Sequence, residues 1–183
     1  MLRPVADAVS SFIFFGIQLG NAEIPLIVAW LVASGVFFTL YLGFINLTGF
    51  AEGVRIVLGR RKTGDAGIGE ISAFQALSTA VSGTVGIGNI AGVAIAISLG
   101  GPGATFWLIV AGFLGMSTKF TECTLGQAYR ELDAQGHVLG GPMQYLAKGL
   151  AERGAAGLGR VLAVLFALLC IGGSFGGGNS FQV

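Results

Sequence analysis

Residues 78–92 read STAVSGTVGIGNIAG. They sit in the middle of an apolar run, with residues 71–77 on one side and 93–99 on the other. The core of the stretch is a poor helix former. Gly83, Gly86 and Gly88 fall within six positions, and each glycine costs about 1 kcal/mol against alanine inside a helix. A plain membrane anchor has no use for them. Irregular backbone at membrane depth persists only where it faces a cavity or buried protein. The stretch therefore predicts a crossing helix that breaks near residues 85–89. Up to Thr84, the first half would turn free carbonyls toward the break. The second half, starting near Asn89, would turn free N–H groups and its positive dipole end into the same place. Carbonyls suit a sodium ion and N–H groups suit a carboxylate. Hydrogen bonds to charged groups are worth roughly 1.5–3 kcal/mol each. Ser82, Thr84 and Asn89 add neutral side-chain oxygens without burying a fixed charge.

Two other readings of the same glycines stand beside this one. Gly88 and Gly92 are four apart, the spacing of a helix-packing face. Gly86-x-Gly88-x-x-Ala91 formally fits a dinucleotide fingerprint. That motif needs a preceding strand and an acid about 20 positions on, whereas here the preceding run reads as a helix and the next acid is Glu122.

Composition says what surrounds the stretch. Hydrophobic residues make up 54% of the 183 and charged residues 10%, with a mean hydropathy of +0.81. A soluble domain carries about 25% charge to cover its surface, so this chain reads as lipid-embedded. Glycine, at 32 residues, lets membrane helices approach closely. The net charge of +1 points to no nucleic acid or acidic partner. Cys123 and Cys170 lie in apolar segments and are expected to be buried and inert. With the lone His137 they make neither a disulfide framework nor a metal site.

Outward from the break, the chain divides into residues 24–47 (a membrane span), 48–70 (a polar loop), 71–99 (the discontinuous span), 104–129 (a third span), 130–160 (a polar loop with a short helix opened by Pro142) and 161–183 (a span the chain ends inside). Residues 1–23 resemble a signal peptide loosely, but the spacing of Val5, Val9, Phe12 and Ile13 favours an amphipathic interfacial helix. Loop 48–70 holds Arg55, Arg60, Arg61 and Lys62, and loop 130–160 holds Arg130, Lys148, Arg153 and Arg160. Basic loops stay inside, so both are expected to be cytoplasmic. Lys119 and Glu122 share one face of the third span and read either as a gate or ion path or as a self-neutralising pair. Gly172, Gly173, Gly176, Gly177 and Gly178 form a small face suited to packing on the broken helix. Trp30, Phe106 and Trp107 read as interface or packing aromatics.

Four stretches together resemble the alanine or glycine:cation symporter family: residues 74–103 (FQALSTAVSGTVGIGNIAGVAIAISLGGPG), 116–129 (MSTKFTECTLGQAY), 141–145 (GPMQY) and 176–182 (GGGNSFQ). The resemblance covers nearly everything after residue 24. It implies an all-α membrane protein with part of a leucine-transporter-type fold, in which two inverted five-helix repeats each begin with an unwound helix. This chain would hold roughly the first three helices of repeat one. By position, the resemblance makes Gly86, Ile87 and Gly88 the amides for a substrate carboxylate. It gives the Thr84 carbonyl and Asn89 side chain one cation position, and the Ser82 and Val85 carbonyls half of a second. Gly177 and Gln182 would line the substrate. Where the family often has Gly-Thr-Gly-Asn, this chain has Ile87, which keeps the backbone N–H and loses a hydroxyl.

The expected function is sodium-coupled symport of alanine or glycine across the plasma membrane, with sodium as coupling ion and no other cofactor. A fragment of this length is not expected to transport by itself. A channel-like pore with residues 86–89 as filter, or a membrane-anchored regulatory subunit, are the competing classes. No nucleophile–base set suggests an enzyme.

Overall fold

The computed structural model describes residues 11, 13–19, 22–60, 72–133, 135 and 137–176. It opens with two antiparallel strands, β1 (Gly16–Leu19) and β2 (Ala22–Pro25), in register from Gly16 opposite Pro25 to Leu19 opposite Ala22. This hairpin takes up residues expected to continue an amphipathic helix over 1–23. The two residues between the strands are Gly20-Asn21, a pair that favours a tight hairpin connection over a helical turn. Residues 1–10 lie outside those described.

Helix α1 (Leu26–Tyr41) begins directly after Pro25, which makes no side-chain capping bond. At 16 residues α1 is about 24 Å long, shorter than the single span expected over 24–47. The chain leaves it through Gly43 and Phe44, both left-handed, at φ 59° and 58°. The Phe44 N–H donates to the Thr39 carbonyl and the Gly43 N–H to the Leu40 carbonyl, the paired bonds of a Schellman stop. A four-residue helix α2 (Ile45–Thr48) and then α3 (Phe50–Val57) follow. Thus part of the expected loop 48–70 is helical, because Phe50, Val54 and Leu58 repeat every four residues and give α3 an apolar stripe. Gly59, at φ 66°, ends α3 with the same pair of bonds, from Gly59 to Ile56 and from Arg60 to Arg55.

Ser72 and Gln75 form a reciprocal capping box at the start of α4 (Ala73–Thr84). The Ser72 N–H donates to Gln75 Oε1 at 2.8 Å, and the Gln75 N–H donates to Ser72 Oγ at 3.2 Å. Helix α5 (Ile87–Gly100) follows after two extended residues. Gly101, at φ 65° and ψ −166°, closes α5 and opens α6 (Pro102–Ala128), the longest helix at 27 residues. Beyond α6, the short strands β3 (Glu131–Leu132) and β4 (Val138–Leu139) pair antiparallel around a loop in which Asp133 Oδ1 accepts from the Gln135 and His137 N–H groups. Helices α7 (Pro142–Glu152) and α8 (Ala156–Gly176) complete the described chain.

Two helix contacts organise the molecule. Helix α8 lies on α7 so closely that a Cβ at Gly159 would stand 2.6 Å from the Leu146 carbonyl. Helix α1 lies on α6, where a Cβ at Gly35 would come within 2.9 Å of Leu114 Cβ. At that seam Thr39 Oγ1 and Ser117 Oγ share a buried hydrogen bond of 2.9 Å. Asn46 Nδ2 donates to the Phe113 carbonyl one turn away. The end of α6 is tied to α7 by a Tyr129–Glu152 hydrogen bond and a Lys148–Glu131 ion pair.

Among the described residues no large hydrophobic side chain is buried, whereas Thr39 and Ser117 are. Trp30, Leu99, Trp107 and many others face outward. In water such an inversion would be an aggregation surface. In lipid it is the expected order, since tails are as apolar as leucine and small or polar residues draw helices together. Cys123 and Cys170, expected to be buried, are exposed, because the helix faces carrying them are left open by the described residues.

Candidate functional site

Seven of the candidate residues fall along residues 82–89, where α4 gives way to α5. Ser82 and Thr84 end α4. Val85, at φ −83° and ψ 105°, and Gly86, at φ −132° and ψ −179°, are extended. Ile87, Gly88 and Asn89 form the first turn of α5. The Val85 N–H still donates to the Val81 carbonyl at 2.9 Å. Among the described residues the next rung, from the Gly86 N–H to the Ser82 carbonyl, is not made, and the two helices diverge by 51°. Both Val85 and Gly86 have ordinary extended backbone, so the break carries no strain. Gly177 and Gln182 lie outside the described residues.

Side chains shape the break further. Thr84 Oγ1 donates back to the Ala80 carbonyl, so its hydroxyl hydrogen is spent within α4. Asn89 Nδ2 donates to the Thr84 carbonyl at 3.0 Å, while the Asn89 N–H donates to the Gly86 carbonyl at 3.0 Å. The Asn89 amide thus straps the carboxyl end of one helix to the amino end of the next. Composition alone did not show this link, since an Asn at the start of a helix more often bonds its own first turn. Asn89 and Val85 are exposed.

All the polar atoms here are neutral: carbonyls, amides and hydroxyls. Residues 73–100 contain no charged side chain. Oxygen donors without thiol or imidazole suit a hard monovalent cation better than a transition metal. No cluster of three or more His, Cys, Asp or Glu exists among the described residues. Within α6, Lys119 and Glu122 bond one another at 2.9 Å.

What sequence reasoning missed is the α1–α6 seam. Its signal was the spacing Gly35-x-x-x-Thr39, small residues four apart, with Ser117 mid-span opposite. Gly172 and Gly173, expected to pack on the broken helix, meet no neighbour within 4 Å among the described residues.

Among the described residues two helices, α6 and the Ala156–Gly173 part of α8, are long and apolar enough to cross a membrane. The bent pair α4–α5 makes a third if taken as one span. With the outward apolar surface, this fits an integral, mostly helical membrane protein. The profile of the sodium:alanine symporter family matches residues 13–183, and the chain belongs to that family. It is 43% identical over 158 residues to the sodium/alanine symporter AgcS of Methanococcus maripaludis, covering 86% of this chain and 34% of the relative. It is 44% identical over 135 residues to the amino-acid carrier protein AlsT of Bacillus subtilis, covering 74% of this chain and 27% of the relative. The chain therefore spans about a third of the length of these relatives.

Proposed function

We propose that the complete protein to which these residues contribute is a sodium-coupled symporter for alanine or glycine in the plasma membrane. The interruption of helical hydrogen bonding at Val85–Gly86 carries the reading. It leaves main-chain dipoles of opposite sense at one place, carbonyls from α4 and N–H groups from α5, which is what a zwitterion and a companion cation require. The N–H groups of Gly86, Ile87 and Gly88 take the substrate carboxylate. The Thr84 carbonyl and Asn89 side chain take one cation, and the carbonyls of Ser82 and Val85 supply half of a second position. Gly177 and Gln182 line the substrate.

Sodium at the Thr84 carbonyl replaces the Asn89 Nδ2 hydrogen bond and lets the amide present its oxygen instead. Ion and substrate then order the same segment, and each raises the other's affinity by the same factor. The arrangement belongs to a leucine-transporter-type fold with an inverted second repeat, loops 48–70 and 130–160 being cytoplasmic. These 183 residues alone do not transport.

The test is uptake of radiolabelled alanine by the complete carrier in vesicles under a sodium gradient. Asn89→Ala is expected to raise the sodium concentration for half-maximal uptake by about tenfold or more, the scale of one lost contact to a charge. An unaltered sodium dependence would remove Asn89 from the ion site. Uptake indifferent to sodium in the unmutated carrier would end the symport reading.

A further inference from the structure

A groove of about 380 Å³ runs between the α2–α3 segment and α6. Gly49, Gly53 and Ile56 line it at helical spacing, and Met116 and Phe120 close it from α6. A Cβ at Gly53 would meet no atom within 4 Å among the described residues. This glycine therefore weakens α3 without earning a close packing contact, and its small size gives the groove its depth. Two polar residues share the apolar lining, Glu52 of α3 and Asn46 of α2. Asn46 Nδ2 is anchored on the Phe113 carbonyl, while its Oδ1 is buried and accepts no hydrogen bond among the described residues. A buried acceptor without a donor is costly. Arg55 stands one helical step beyond Glu52, with 3.6 Å between guanidinium and carboxylate. That is wider than a direct hydrogen bond. One such contact uses little of the four acceptor positions of a carboxylate or the five donors of a guanidinium.

We propose that this groove is a binding site for phosphatidylethanolamine, a phospholipid whose headgroup ends in a primary ammonium. An acyl chain lies over Gly49, Gly53, Met116 and Phe120. The ammonium has three N–H donors, enough for the Glu52 carboxylate and the Asn46 amide oxygen that line the same groove, and the phosphate meets Arg55. Charge selects this occupant. A carboxylate and a guanidinium side by side on an amphipathic helix match a headgroup that carries both signs. A choline headgroup offers no N–H to the two acceptors, and an anionic glycerol headgroup meets the Glu52 carboxylate with like charge. A protein segment would leave backbone groups unsatisfied on the apolar floor. The inference rests only on the chain being membrane-embedded, so its failure leaves the symport reading untouched.

The experiment is native mass spectrometry of the complete carrier, delipidated in detergent. It is titrated with phosphatidylethanolamine, phosphatidylcholine or phosphatidylglycerol of matched acyl chains. Phosphatidylethanolamine is expected to bind about tenfold more tightly than phosphatidylcholine, the scale of one charge-assisted hydrogen bond, and more tightly than phosphatidylglycerol. The ratio falls toward unity in E52Q and survives in E52D. R55Q weakens all three lipids, since they share the phosphate, and G53L weakens them by filling the groove. The comparison of the three lipids on the unmutated carrier needs no variant and holds even if one misfolds. Equal binding of the ethanolamine and choline lipids, tightest binding of phosphatidylglycerol, or a ratio that E52Q leaves unmoved overturns the proposal. So does a carrier that takes up no lipid and runs as a dimer, which would give the groove to a second copy.

Discussion

Single residues set the strength of the α1–α6 seam. Thr39 Oγ1 donates to the Gly35 carbonyl at 2.7 Å and, with its proton so placed, accepts from Ser117 Oγ at 2.9 Å. Ser117 has no exposed surface. Removing one hydroxyl leaves the other without its partner across the seam, whereas removing both leaves none stranded. Thr39→Val and Ser117→Val should each destabilise the chain by about 1 kcal/mol in steric-trapping unfolding in bicelles. The double variant should lose less than the sum. Full additivity would mean that the two hydroxyls do not act as a pair. Gly35 works beside them through its missing side chain, because a Cβ there would press on Leu114. Gly35→Leu should cost more than either hydroxyl, by the 1–3 kcal/mol typical of overpacking.

Elements differ in how openly the sequence announces them. The apolar, charge-poor composition and the matching stretches declared a helical membrane protein and its family. Helix α6 is plain in the same way, 27 residues between Pro102 and the polar Tyr129–Arg130. What stayed hidden was decided by hydrogen bonds between backbone groups rather than by residue class. The hairpin at 16–25 displaced an amphipathic pattern, the Schellman stop at Gly43–Phe44 shortened an uncharged run, and α3 formed where charge suggested a loop. In the candidate site, the residue types were readable but the Asn89–Thr84 strap was not, since it depends on the angle between two helices. Helix α4 owes its start to the Ser72–Gln75 box. Ser72→Ala should weaken that end by about 1 kcal/mol. Hydrogen exchange at the Gln75 and Ala76 amides should quicken about fivefold in consequence. Unchanged exchange would assign the start of α4 to packing instead.

At the scale of the whole molecule, the distribution of charge makes a claim about orientation. Loops 48–70 and 130–160 each carry four basic residues, while the corner at Gly101 carries none. In a chain whose Cys123 and Cys170 are replaced by alanine, single cysteines at Arg60 and Ala155 should react with an impermeant maleimide only after the cells are opened. One at Gly103 should react from outside. Reaction of Arg60→Cys and Ala155→Cys on opposite sides would overturn the arrangement of spans. The same fold explains why interior and exterior are exchanged. Helices held by Gly35, Thr39, Ser117 and Gly159 leave their hydrophobic side chains for lipid or for neighbouring protein.

The corner at Gly101 gives that arrangement a mechanical property. A single residue finishes α5 and begins α6, so there is no slack chain between them, while only the two extended residues 85–86 separate α5 from α4. Helix α5 is therefore a short rod, jointed at one end and hinged against a long pillar at the other. Any tilt of the rod at the break has only the Gly101 corner to take it up before it reaches the pillar.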